Sequence, residues 1–205
     1  FTVRTYNAIS DKGLSRFSAE DYRVGPELQD PDAYILRSHK LHGEPIPDSV
    51  VAVARAGAGF NNIPVDEFTR RGVVVFNTPG ANANAVKEMV AAGLFMGSRG
   101  IFDGINYVES LGEIKDPAEL SRHLEKVKKR YSGTEVAGKT LGVVGLGAIG
   151  ALVANMALEL GMRVVGFDPA ISIEAAWKLS SRVEKVESLQ ALLGEADYLT
   201  LHVPV

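Results

Sequence analysis

The sequence contains GLGAIG, Gly145 to Gly150, set between a short apolar run and a longer apolar stretch. A G-x-G-x-x-G spacing between a strand and a helix suits the diphosphate of a dinucleotide. Gly145 permits a tight turn, Gly147 leaves room for the diphosphate beside the backbone, and Gly150 lets the helix pack closely on the strand. Free N–H groups and the positive dipole end at the helix start would then hold the anion. A second apolar run ends in Asp168, about 20 residues further on, where such folds place an acid. A carboxylate there accepts hydrogen bonds from the adenine ribose hydroxyls and repels a 2′-phosphate. NAD is therefore the expected cofactor, in preference to NADP.

A second set of polar residues follows shorter strand-like runs. Arg37 closes "AYILR" and Arg55 closes "VVAVAR". If these are neighbouring parallel strands, both guanidiniums reach the sheet edge where open α/β folds bind ligands. Two guanidiniums there suit a phosphate and a carboxylate, and pairing with nearby acids is the structural alternative. His39 and His42 lack an apparent third ligand, so no metal is expected. The run Lys126, Lys128, Lys129 and Arg130 reads as a solvated helix face.

The elements that would position these groups alternate along the chain. "TVRTY", "AYILRS", "VVAVAR" and "VVVFN" read as strands, with a helix over "VDEFTRRG" between Pro64 and Gly72. A longer helix is expected from Asn82 to about Gly97. A second alternation begins at Lys139 and closes on "DYLTLHVPV", read as a buried strand running into a loop at Pro204. Strand–helix–strand spacing of this kind implies parallel sheets. The expected fold is α/β with two doubly wound domains, residues 1–92 and 93–205. The apolar stretch Leu141–Leu158 reads as strand, turn and helix, because four glycines crowd its first half. The 205 residues include no cysteine, which excludes disulfides and thiolate chemistry and fits a reducing compartment, so a cytoplasmic location is expected. A net charge of -3 gives no reason to expect nucleic acid or an anionic membrane as partner.

Beyond the glycine motif, "RSHKLHG" (37–43), the stretch 55–88, "GKTLGVVGLGAIG" (138–150), "GFDP" (166–169) and "EADYLTLHVP" (195–204) together resemble the D-isomer-specific 2-hydroxyacid dehydrogenases. The resemblance implies a flavodoxin-like substrate domain, a Rossmann NAD domain and a homodimer. It also implies NAD-dependent oxidation of 3-phosphoglycerate to 3-phosphohydroxypyruvate, at the start of serine synthesis. The alternatives are another 2-hydroxy acid of the glyoxylate or hydroxypyruvate type, or a non-enzymatic NAD-sensing module like the corepressors of this fold. Arg37 and Ser38 match substrate-side positions, and Gly57, Ala58 and Gly59 match the loop that holds the substrate carboxylate. Ala58 also matches a contact to the nicotinamide end. Ala148 and Ile149 match the diphosphate turn, and His202, Val203 and Pro204 match a cofactor-lining loop. The family's catalytic arginine, glutamate and histidine match nothing here, so a dehydrogenase lacking them, with an incomplete NAD domain, is the expectation.

Overall fold

Parallel strands cannot be joined by a tight hairpin, so each pair needs a crossover connection. A computed structural model describes residues 1–203 of the chain, and it has this arrangement twice. The chain divides into two compact units, Phe1–Asn82 and Ala83–Val205. The boundary expected after residue 92 falls inside a helix, Ala83–Ser98, at the start of the second unit.

In the first unit, strands β1 (Thr2–Thr5), β2 (Arg23–Gly25), β3 (Ala33–Leu36), β4 (Ala52–Arg55) and β5 (Val74–Phe76) form one parallel sheet in the order β2-β1-β3-β4-β5. That is the flavodoxin-like order. Two short helices, α1 (Asp11–Leu14) and α2 (Val65–Arg70), lie in the connections. Helix α2 starts after Pro64, as expected, and buries Phe68 completely among Leu36, Leu41, Val53 and Val73. Strand β2 escaped the sequence reading because Val24 is its one apolar side chain of any size.

The second unit opens with helices α3 (Ala83–Ser98), α4 (Ile101–Ser110) and α5 (Pro117–Val127) and a 3-10 turn at Lys128–Tyr131. Then come β6 (Thr140–Val144), α6 (Ala148–Glu159), β7 (Arg163–Phe167), α7 (Ile173–Lys178), β8 (Glu184–Lys185), α8 (Leu189–Glu195) and β9 (Tyr198–Leu201). The strands form a parallel sheet in the order β8-β7-β6-β9. The chain runs outward from β6 to β8 and returns to the other side of β6, making a topological switch point beside β6. Helices α3 and α6 cover one face around Leu141, Val143, Val153 and Ala157. On the other face α8 buries Leu192 against β6 and β7. The apolar stretch 141–158 is thus a strand, a turn and a twelve-residue helix. No helix among the described residues is long and apolar enough to cross a membrane.

One expectation needs correction. The run 198–202 was read as a buried strand, but Leu199 is 46% and Leu201 62% exposed. Strand β9 pairs with β6 alone among the described residues, which leave one of its faces uncovered. Helix α4 was not foreseen at all. It buries no residue, and Ile101, Phe102, Ile105 and Val108 are exposed along it. Trp177 on α7 is likewise exposed.

Both sheets tie their strand starts together in the same way. Asp32, just before β3, accepts from the N–H of Thr2 at 2.6 Å and from its hydroxyl at 3.1 Å, and returns its own N–H to the Thr2 carbonyl. Asp197, just before β9, accepts from the N–H of Thr140 at 2.8 Å and likewise returns its N–H to the Thr140 carbonyl. The bonds from the Thr2 backbone and hydroxyl hold the Asp32 carboxyl below the usual carboxylate range. A lowered folded pKa stabilises the fold above the unfolded value of about 3.9 and loses that contribution as pH falls through the folded value. Asp32→Ala should therefore unfold at a lower temperature than wild type at neutral pH. The gap between the two melting curves should close as pH is taken well below ~3.9.

Candidate functional site

The glycine turn joins β6 to α6 at the carboxyl edge of the second sheet. Gly145 has φ +86°, a left-handed conformation, and a Cβ there would stand 2.6 Å from the carbonyl oxygen of His202. Gly150 faces the Gly145 carbonyl so closely that a Cβ would overlap its oxygen and lie 2.9 Å from its carbon. These two glycines are required by the protein itself. Gly147 is different. It has φ -68°, which any residue adopts, and a Cβ there would meet nothing within 4 Å. The space it leaves is open, and no side chain caps the start of α6. The N–H groups of Ala148 and Ile149 open that helix, where anions are bound in folds of this kind.

Asp168 follows directly on β7. One carboxylate oxygen accepts from the N–H of Leu146 at 2.8 Å and the other from the N–H of Ala170 at 2.9 Å. It is therefore tied to the glycine turn. An ionised carboxylate offers about four acceptor positions, and two remain for ligand hydroxyls. His202 lies just past β9, its N–H donating to the Val144 carbonyl at 2.8 Å. Its ring Nε2 is 3.0 Å from the Thr200 hydroxyl, and burial lowers its pKa, so the ring is neutral at pH 7. The Val203 side chain comes within 2.9 Å of the Cβ position at Gly145. Gly145, Gly147, Ala148, Ile149, Gly150, Asp168, His202 and Val203 thus share one sheet edge. Pro204 lies outside the described residues.

In the first unit, β3 and β4 are neighbours with Leu36 opposite Arg55, so Arg37 and Arg55 leave adjacent strands at the same edge. Neither forms an ion pair among the described residues. Arg55 folds over the loop that follows it. Its guanidinium carbon is 2.9 Å from the Cβ position at Gly57, and its Nε is buried without a hydrogen-bond partner. An orphaned guanidinium donor is costly unless an anion meets it. The loop Gly57–Gly59 is held by residues the sequence reading did not single out. Asn77 donates to the Ala58 carbonyl at 2.7 Å, and the N–H of Thr78 donates to the Gly57 carbonyl at 3.0 Å. Their signal was present: both directly follow a strand, β5, in a parallel sheet. The N–H groups of Ala58 and Gly59 meet no acceptor among the described residues. Ser38 is exposed beside Arg37. His39 and His42 do not converge. His39 Nε2 lies 2.8 Å from a Glu44 carboxylate oxygen, poorly aligned for a hydrogen bond, and His42 Nε2 is 3.0 Å from the Asn61 carbonyl.

A Gly-rich turn at the switch point of a parallel sheet, with an acid after the next strand, defines a dinucleotide-binding α/β protein. Residues 108–205 match the model of the D-isomer specific 2-hydroxyacid dehydrogenase, NAD binding domain. Among the chain's relatives, D-3-phosphoglycerate dehydrogenase of Methanocaldococcus jannaschii is 35% identical over 182 residues, covering 87% of this chain and 32% of that protein. The enzyme of the same name from Synechocystis sp. is 38% identical over 195 residues, covering 94% of this chain and 31% of that protein. The crystal structure of NAD+-bound 3-phosphoglycerate dehydrogenase from Entamoeba histolytica shares the fold, with a TM-score of 0.67, 24% identity, and coverage of 100% of this chain and 63% of that one. The chain spans about a third of the length of the curated relatives it matches.

The contrast among the glycines is testable. Gly147→Ala should stay folded, losing about 1 kcal/mol or less, the scale of a helix-start substitution, yet bind NAD at least tenfold more weakly in titration calorimetry. Gly150→Ala should instead lower the melting temperature sharply, because the Gly145 backbone cannot yield to a new Cβ.

Proposed function

We propose that these residues are the substrate-binding and NAD-binding parts of a dehydrogenase that oxidises 3-phosphoglycerate to 3-phosphohydroxypyruvate, at the start of serine synthesis. The substrate-binding part corresponds to the first unit and the NAD-binding part to the second. The observation that carries the reading is the open space at Gly147, between an uncapped helix start and a carboxylate with free acceptor positions. The diphosphate of NAD fits that space, and the adenine ribose hydroxyls fit Asp168. Ala148 and Ile149 give N–H groups to the diphosphate, while His202 and Val203 line the cofactor. NAD supplies the hydride acceptor when bound.

On the substrate side, Arg37 and Arg55 bind the two anionic groups of phosphoglycerate, and the free N–H groups of Ala58 and Gly59 hold its carboxylate. Gly57 makes room for the Arg55 guanidinium, and Ser38 supplies a hydroxyl beside Arg37. Two unpaired arginines at one edge favour a doubly anionic substrate over glyoxylate or hydroxypyruvate. No residue among those described is assigned the proton transfer. His202 is held by Thr200 and belongs to the cofactor side. We propose further that the protein is cytoplasmic and that two copies associate through the exposed apolar face of α4. Sedimentation of an Ile105→Glu variant as monomer, against a wild-type dimer, would establish the association.

Asp168→Ala should weaken NAD binding by roughly tenfold or more, because hydrogen bonds to a charged acceptor contribute about 1.5–3 kcal/mol each. Unchanged affinity by calorimetry would remove Asp168 from the site. Arg37→Met and Arg55→Met keep the apolar stem and delete the charge. Each should weaken phosphoglycerate binding by at least tenfold while moving the melting temperature by only a few degrees.

A further inference from the structure

The loop that carries Arg37 and Ser38 is gripped from two sides by asparagines. Asn7 stands just past β1, whose neighbour in the sheet is β3. Its side-chain oxygen accepts from three consecutive backbone N–H groups, those of Arg37 at 3.3 Å, Ser38 at 2.9 Å and His39 at 2.9 Å. An amide oxygen has two lone pairs, so three donors converge on it only when the backbone curls around it. Asn7 itself has φ +63°, the left-handed region that asparagine tolerates better than most residues. From the other side the Asn62 amide donates to the carbonyls of His39 at 2.7 Å and Arg37 at 3.5 Å. Asn62 is buried, and its backbone carbonyl accepts the N–H of Leu41 at 2.9 Å. The His39 ring completes the grip by stacking on Tyr6, with centroids 4.1 Å apart and planes 15° from parallel.

The consequence concerns side-chain direction. With the N–H groups of residues 37–39 turned inward to Asn7, the Arg37 and Ser38 side chains are left exposed. We propose that Asn7 and Asn62 are positioning residues for substrate, fixing the Arg37–Ser38 backbone so that the guanidinium and hydroxyl are presented without reorganisation. This rests on the substrate-side reading of Arg37 given above. Asn7 is exposed, so water can replace it as acceptor and the fold tolerates its loss. What is lost is geometry, and a misplacement of about 1 Å can cost on the order of 100-fold.

Two substitutions separate the contributions of Asn7. Asn7→Gly keeps the left-handed backbone free of strain and removes the side chain with its accepting oxygen. Asn7→Asp keeps an oxygen in the same place, and a ring of N–H groups favours an anion. Hydrogen exchange of the amides of residues 37–39 in the whole chain should be at least tenfold faster in Asn7→Gly than in wild type, and near wild type in Asn7→Asp. Wild-type protection in Asn7→Gly would overturn the grip. Affinity for 3-phosphoglycerate should fall in Asn7→Gly at least half as far, on a logarithmic scale, as in Arg37→Met. If Arg37→Met weakens binding and Asn7→Gly does not, the positioning role is wrong. If Arg37→Met changes nothing, the substrate-side reading fails, and the positioning role for substrate is overturned with it, whatever the exchange rates show.

Discussion

A carbonyl oxygen, that of Gly145, fills the space in which residue 150 would carry a side chain. That contact sets how near α6 can begin to the end of β6, and much of the second unit follows from it. With the helix drawn in this close, Val153, Ala154 and Ala157 reach the sheet and are wholly buried. The Leu146 N–H is left facing Asp168 rather than the helix. The first turn of α6 then opens toward solvent at the switch point, with no side chain spent on capping it. A parallel sheet of short strands needs such a fixed corner, since it has no hairpin to hold its register.

The two units solve one problem with different means. Each must hold loops at the carboxyl edge of a parallel sheet without burying them. In the second unit backbone packs on backbone, which only glycine allows, and Asp168 ties the turn to the end of β7. In the first, polar side chains bind the backbone: Asn7 and Asn62 on one loop, Asn77 on the next. A loop held by side-chain hydrogen bonds keeps its shape while its own side chains stay free for a ligand. Arg55 is the limiting case, since its Nε is buried and unmatched.

What could be read from the sequence was whatever depends on residue type and local spacing. The glycine turn, Asp168 and the two strand-end arginines are of this kind, and so is the alternation that implies parallel sheets. The role of Asn7 is not, because it acts on residues thirty positions away and its neighbours become known only with strand order. Strand β2 has too little apolar surface to register, and α4 has its apolar face in the open, where periodicity alone cannot say what covers it. The misreading of β9 has the same origin. A run of β-branched and aromatic residues marks a strand, but its burial depends on which neighbours flank it.

The exposure of Trp177 has an optical consequence. It is the one tryptophan in the sequence, it is 85% exposed, and it stands on α7 nine residues beyond Asp168. An indole that already emits from water gains little red shift when the chain unfolds, so intrinsic fluorescence is a poor measure of denaturation here. The same indole is an undiluted reporter of its own surroundings. Quenching, or energy transfer to a reduced nicotinamide, would register events near the end of β7, while loss of the fold is better followed by far-ultraviolet circular dichroism.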